Sequence, residues 1–521
     1  MSPILAVFVT AGGDSEGLWT HLLTTVLPGY VANTTVLMAG VAVMSTIFGV
    51  STAWIVFRYQ FKGRHLLEWM LLLPAAVPAY LVAYTYTDLL EYAGPIQSLL
   101  RQIFGWQSAR EYWFPEIRSM EGAVLVMSAV LYPYVYIMTR AAFLMTPLSL
   151  YETAMVAGRN LFWSVALPLA RPAIVAGVAP VLMEVISDFG TVEYFAIPTL
   201  TLGIFNVWLG MNNLVAAAQI SVVSFCFVVM LLVLERMGRS TRRYNDTSRR
   251  ARILPPIRVS GWTLAGCYAV CSIPIFIGFV LPVSVLLNFL LQGYSIAFEA
   301  AALSAALDSL FLAATVAILV MAVALLFGIA SYYQGGTLVR AGVLLASIGY
   351  AFPGTILAIG MVTAAGAFDA GFSTLMRAIT GSEPSGLILG TVMMVVLACA
   401  ARFQAIGYGA INSGLQRLPP NIMNASRSLG HSFEASFIAV ILPLLTKSIL
   451  AGALLVFVDV MKELPMTLLL RPFNFETLAT YVYQYAKDEL LEEAALPALL
   501  IIATGILPVV IMNSALRRLS R

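Results

Sequence analysis

Long apolar runs separated by short polar stretches dominate this chain. A helix rising about 1.5 Å per residue needs about 20 mostly apolar residues to cross a bilayer. Eleven stretches meet that length: 33–57, 66–89, 122–143, 172–192 and 214–234, then 262–290, 308–332, 341–366, 386–407, 448–470 and 494–516. The pattern predicts an all-α polytopic membrane protein with about eleven transmembrane helices.

Basic residues orient the spans, because Lys and Arg concentrate in cytoplasmic loops. Arg58, Lys62 and Arg64 follow the first span, and Arg140, Arg159 and Arg171 follow the third. Eight arginines fill 236–258, and Arg517, Arg518 and Arg521 close the chain. All of these loops can be cytoplasmic at once. That puts the C-terminus in the cytoplasm and, with eleven spans, the N-terminus on the periplasmic side. The start MSPILAVFVTAGG has no charged leader, and its apolar run is too short for a signal peptide.

Composition agrees with the pattern. The residues are 60% hydrophobic and only 11% charged, more apolar surface than a soluble domain can hide. A net charge of +3 gives no reason to expect a nucleic-acid partner. Cys226, Cys267, Cys271 and Cys399 all lie in apolar runs, and His21, His65 and His431 are scattered, so no metal-binding spacing is present. No GxxxxGK[ST] phosphate-binding loop occurs, and no catalytic triad stands out. No enzymatic chemistry and no bound cofactor are expected of this chain.

The chain repeats itself. ALPLARPAIVAGVAPVLMEVISDFGT, from Ala166, aligns with ILPLLTKSILAGALLVFVDVMKELPMT, from Ile441. Pro168 and Pro443 are 275 positions apart, as are Gly177 and Gly452, Glu184 and Asp459, and Asp188 and Glu463. Pro78 and Pro353 keep the same offset, and Phe48-Gly49-Val50 resembles Phe327-Gly328-Ile329. The copies run in the same direction, which implies a parallel repeat about an axis along the membrane normal. The expected organisation is a first half over 1–234, a basic linker over 235–260 and a second half over 261–521. The halves hold five and six spans. The missing one would precede residue 20, either lost or encoded upstream of Met1.

Each copy of Leu-Pro follows a polar loop with a glycine. These loops, Tyr151–Pro172 and Asn421–Leu445, read as short helix–turn–helix units at the membrane surface. They resemble the coupling (EAA) loop of ABC importer permeases: Glu-Ala-Ala, three residues, Gly, then Ile-x-Leu-Pro. Glu152, Ala154, Gly158, Leu167 and Pro168 match in the first half, and Ala425, Gly430, Ile441, Leu442 and Pro443 in the second. Asn424 stands where the second loop should carry its glutamate. Gly158 to Pro168 spans ten residues but Gly430 to Pro443 spans thirteen. The first loop is thus short by about one turn, so its docking helix is expected to be truncated. The strings VLMEVISDFGTVEYF, Leu131–Phe143 and Phe457–Gln484 resemble fused two-half permeases of ferric-iron importers. The resemblance implies the type I importer permease fold, a location in the bacterial inner membrane and alternating access. It also implies two copies of an ATPase subunit carrying ATP-Mg, a periplasmic ferric-binding protein, and Fe³⁺ as the transported ion. Thiamine, a polyamine, sulfate or a phosphonate are alternative cargoes, and a proton-coupled secondary transporter is the alternative from another class.

Within the repeats sit four acids. Rising from Pro172, Glu184 lies about 18 Å in and Asp188 about 24 Å in, four apart on one helical face. Asp459 and Glu463 repeat them, with Lys462 between. A charged side chain facing lipid is costly, so the face should point to protein or to a wet cavity. Two readings follow. The acids line a cation pathway, or they pair with Lys462, Arg471 or helix ends and fix packing. Tyr132, Tyr134 and Tyr136 are chemically suited to iron, but Pro133 interrupts them and packing is the simpler role. The aromatic loop Arg101–Ser119 reads as periplasmic, at the bilayer interface or against a binding protein.

Overall fold

The computed structural model describes residues 2–239, 254–293, 300–337, 339, 342–343, 349–381, 386–419 and 421–519. Among these, nine helices are long and apolar enough to cross a membrane. They become ten if Arg64–Ala76 and Ala79–Phe104, bent by 92°, count as one span. A further apolar helix begins at Ala495. The protein is a polytopic all-helical membrane protein. Within the linker, residues 240–253 lie outside the described residues, as does Arg521.

Several helices depart from the boundaries the apolar runs suggested. The 66–89 stretch is not one straight helix. Leu73–Ala76 tightens to a 3₁₀ turn around Pro74, Val77 is extended at ψ 124°, and a new helix starts at Ala79. Proline removes an amide donor and pushes the residue before it out of the helical region, so Pro74 and Pro78 together break the run. The second half repeats the device. A 3₁₀ turn at Gly349–Ala351 precedes Pro353, and the helix runs Gly354–Thr380 rather than 341–366. Residues 341 and 344–348 of that expected span lie outside the described residues. The 172–192 and 448–470 stretches also end early, at Ser187 and Met461.

The described chain divides into two compact units. One comprises Met1–Gly13 and Phe298–Tyr481, the other Asp14–Ala297 and Val482–Arg521. Each therefore gathers segments distant in sequence. In the first unit the Ser2–Ala11 helix packs on Gly354–Thr380, where Thr10 and Thr363 hydroxyls meet at 2.9 Å. In the second, Leu281–Leu291 packs on the matching helix, Ala79–Leu90, and on Ala495–Leu519. The second unit also holds the one β pairing seen among the described residues. Tyr59–Gln60 runs parallel to Ile257–Arg258, and Arg58 Nη1 donates to the Pro255 carbonyl at 3.0 Å. The end of the linker is thereby tied to the loop after the first long helix.

The repeat is visible in how helices touch. A Cβ built at Gly49 would lie 2.7 Å from Val135 Cβ, and one at Gly177 would lie 2.8 Å from Val135 Cα. In the other unit, Gly328 meets Ile411 and Gly452 meets Ala410 in the same manner, at 2.6 and 2.7 Å. Small residues let membrane helices approach closely where lipid supplies no hydrophobic drive. A buried ion pair adds to the second unit: Glu68 accepts from Arg140 Nη2 at 3.1 Å and from Arg64 Nε at 3.2 Å. Gly177→Val should lower stability by about 1–3 kcal/mol through overpacking, read as a drop in detergent melting temperature. Gly266→Val, where a side chain meets open space, should leave the melting temperature unchanged.

Candidate functional site

The two polar loops share one design. In the first, the Leu148–Val156 helix ends at Gly158, whose φ of 63° turns the chain. Asn160 then caps the next helix, accepting from the Phe162 and Trp163 amides at 3.0 and 3.2 Å. A π-helical turn, Phe162–Ala166, leads into Leu167–Ser187 with Pro168 in its first turn. In the second, the Ile422–Ser428 helix ends near Gly430 at φ 91°. Ser432 caps the return by accepting from the Ala435 amide at 3.2 Å. The π-helical turn Phe437–Ile441 leads into Leu442–Met461, with Pro443 in its first turn. A left-handed glycine stops one helix and a polar cap starts the next.

One expectation about these loops is corrected. The first docking helix is not truncated: Leu148–Val156 has 9 residues against 7 in Ile422–Ser428. The three additional residues of the second loop fall after Gly430, where Phe433–Ser436 adds a helical turn to the returning helix. The motif alanines fall at different places in the two loops. Ala154 is buried and Ala425 exposed, and Ser426, four before Gly430, takes the buried place. Glu152 and Asn424 are both exposed.

Each loop has a buried root and an apolar tip. Tyr151 is fully buried, with Phe57 at 6.0 Å between ring centroids. Phe57 in turn meets Phe143 at 5.7 Å, and Trp54 meets Phe143 and Phe162 at 5.6 and 5.2 Å. Burial pushes the Tyr151 phenol up to about 12, so it stays neutral at physiological pH. The second loop roots through Met423, Ile441 and Leu445 into a cluster with Met321, Ile411 and Leu415. At the tips, Val156 is 92% and Leu429 81% exposed, an arrangement that offers apolar contact to a partner.

The four membrane acids do not act alike. Asp188 lies past the end of its helix, in extended conformation at ψ 135°, so it does not share a helical face with Glu184. Its carboxylate accepts from the Thr191 amide and hydroxyl at 3.0 Å each and from the Val192 amide at 3.2 Å. It thereby caps the short helix Gly190–Tyr194. Glu463 repeats the arrangement beyond Met461, accepting from the Met466 amide at 3.0 Å at the start of Pro465–Leu470. Buried Arg402 also grips Glu463, with Nη1 at 3.0 and 2.9 Å from its two oxygens. Asp459 pairs with Lys462 at 2.9 Å, and both are partly exposed. Glu184 is half-buried within the helix. Arg471 pairs with Glu476 at 2.5 Å.

Sequence reasoning missed Arg402 and the Glu68–Arg140 pair. The signal was a charged residue inside or beside an apolar run, which in a membrane implies a partner. Of the three tyrosines in Leu131–Phe143, Tyr132 is fully buried and donates to the Leu71 carbonyl at 2.9 Å. Tyr136 is fully buried too. The Arg101–Ser119 loop stacks Trp106 between Phe104 and Tyr112, at 4.7 Å each. With neighbouring residues it borders an open cavity of about 1000 Å³. Among the described residues, no group of three or more His, Cys, Asp and Glu is gathered closely enough to hold a metal ion.

Two copies of one helical unit, each with a glycine-turned surface loop and a carboxylate-capped break, define a duplicated transport permease of the membrane. The chain belongs to the family of binding-protein-dependent transport system inner membrane components, whose model matches residues 45–239 and again 324–521. It is 23% identical over 498 residues to the Fe(3+)-transport system permease protein FbpB 2 of Haemophilus influenzae, covering 93% of this chain and 89% of that protein. It is 20% identical to the ferric transport system permease protein FbpB of Actinobacillus pleuropneumoniae, over 93% of this chain and 72% of that one. The molybdenum transport system permease protein ModB of Escherichia coli is 26% identical over 205 residues, which is 37% of this chain and 86% of ModB.

Removing one partner of a buried ion pair strands the other charge. Arg402→Met should therefore cost about 3–5 kcal/mol, with Arg402→Met/Glu463→Met restoring most of the loss. Thermal unfolding of the three proteins in one detergent checks this; equal stability of single and double variants would refute it.

Proposed function

We propose that this chain is the membrane-spanning permease of an ATP-driven importer for ferric iron. The observation that carries the reading is the relationship to Fe(3+)-transport permeases along 93% of the chain, both halves included. The molybdenum permease matches over little more than a third of it, along 86% of its own length. The two surface loops, with Glu152, Ala154, Gly158, Leu167 and Pro168 in one and Asn424, Ala425, Gly430, Leu442 and Pro443 in the other, are the docking points for two ATPase subunits. Val156 and Leu429 supply apolar contact at the tips. Tyr151 and Met423, rooted in the bundle, carry the push of ATPase closure to the helices that begin at Leu167 and Leu442.

In this reading the loops and the C-terminus face the cytoplasm, and the N-terminus and the Arg101–Ser119 loop face the periplasm. A periplasmic binding protein delivers the ion there. The two compact units, each taking helices from both halves, 1–234 and 261–521, are the two arms of alternating access, and the basic linker over 235–260 joins the halves. Glu184 and Asp459, the member of each acid pair that lies within the long helix, line the route, while Asp188 and Glu463, just past the helix ends, brace it. Hard Fe³⁺ prefers oxygen donors, and negative charge along the route favours cations.

The test is reconstitution in vesicles with a candidate ATPase and binding protein. ATP-dependent uptake of iron and not of molybdate is expected. Uptake of molybdate alone, or uptake without an ATPase, would overturn the reading. In the same assay, Glu184→Gln/Asp459→Asn should slow iron uptake by about tenfold or more, on the scale of a lost charge contact of about 1.4 kcal/mol or greater in the transport barrier. Wild-type uptake in the double variant would leave those two acids with a packing role only.

A further inference from the structure

We propose that Tyr84, Tyr483 and Glu193 form a transit site for a hard trivalent cation. All three lie in the unit built from Asp14–Ala297 and Val482–Arg521. Tyr84 is 1% exposed, and its hydroxyl has no hydrogen-bond partner. A buried hydroxyl left unsatisfied costs stability, so its persistence calls for a reason. Tyr84 packs edge-on against Tyr194, centroids 4.5 Å apart, and tilts against Tyr80 at 5.7 Å. It lies within electrostatic reach of Glu193 and Tyr483. Tyr483 is 6% exposed, and Lys487 Nζ lies 5.8 Å from its ring centroid. Glu193 accepts from Lys487 Nζ at 3.1 Å.

The repeat argues against a packing role alone. At the 275-residue offset, Tyr80, Tyr84, Glu193 and Tyr194 correspond to Thr355, Ile359, Leu468 and Leu469. Ile359 is as fully buried as Tyr84. The second copy thus builds the same helix packing without the phenols or the carboxylate. The surroundings favour a cation over an oxyanion. Asp88 lies within electrostatic reach of Glu492 and Glu91, and Arg118 is shared between Glu91 at 2.6 Å and Glu489 at 3.9 Å. Carboxylates outnumber the cations Arg118 and Lys487 in this group.

The chemistry balances. The two phenols each release a proton to solvent as their oxygens coordinate the ion, and Glu193 contributes its existing charge. Three negative donors then match a trivalent ion. A bound cation of that charge reverses the ordinary preference of a buried phenol for its protonated form. Lys487, more than half exposed, swings to solvent when the ion takes its place. Three protein donors make an incomplete cage, which an ion can leave as well as enter.

The site rests on the ferric reading above, and its test separates the two. Ferric citrate is titrated into the purified full chain in detergent, and the visible phenolate-to-iron charge-transfer band is followed. Iron uptake by reconstituted vesicles is measured alongside. Wild type should develop the band, and Tyr84→Phe or Tyr483→Phe should diminish it. Glu193→Gln should weaken binding by about tenfold or more, on the scale of support lost at a metal ligand. Tyr136→Phe, a buried phenol elsewhere, should match wild type. Iron uptake without the band, or a band unchanged in Tyr84→Phe, would overturn the site and leave the ferric reading standing. Wild-type vesicles that take up no iron would overturn the ferric reading, and any band would then mark an adventitious cation only.

Discussion

A carboxylate just past the end of a long helix holds the break on which each half turns. Asp188 and Glu463 end one helix and cap the next by accepting amide hydrogens three residues on. In an apolar environment a free amide or a lone carboxylate is costly, and each resolves the other. The bend, the short helix that follows and the direction of the chain beyond it all depend on this contact. The second half strengthens it with Arg402, which adds a charge-assisted pair to the same glutamate.

The two surface loops show how a duplicated design tolerates drift. Both copies keep the left-handed glycine, the polar cap, the π-helical turn and the Leu-Pro start. They differ in how far the returning helix reaches before its proline, by the turn Phe433–Ser436. They differ also in their roots, aromatic around Tyr151 and aliphatic around Met423. A packed root is kept while its chemistry changes, because close packing holds a loop in place whatever the side-chain type.

Much of this was legible in the chain itself. Apolar runs mark membrane helices because the bilayer demands internal hydrogen bonding and an apolar exterior. The repeat was legible because Gly177 and Gly452, or Pro168 and Pro443, serve a backbone requirement that few residues meet. The loops were legible for the same reason, through Gly158 and Gly430. Helix ends were less so. Asp188 looked like a neighbour of Glu184 on one face, yet hydrogen bonds to Thr191 and Val192 draw it out of the helix. Spacing alone cannot weigh a capping bond against one more helical turn.

By itself, the sequence determined that this chain is a duplicated, all-helical membrane protein with two surface loops, because those features rest on local backbone chemistry and on solvent. Only the tertiary structure decided which charges meet. Arg402 and Glu463 are 61 positions apart, as the chain runs, and Lys487 and Glu193 are 294 apart. Such partners are chosen by which helices pack together, and each compact unit draws its helices from both ends of the chain. No local pattern records that choice, since a buried charge or phenol shows only that a partner is needed.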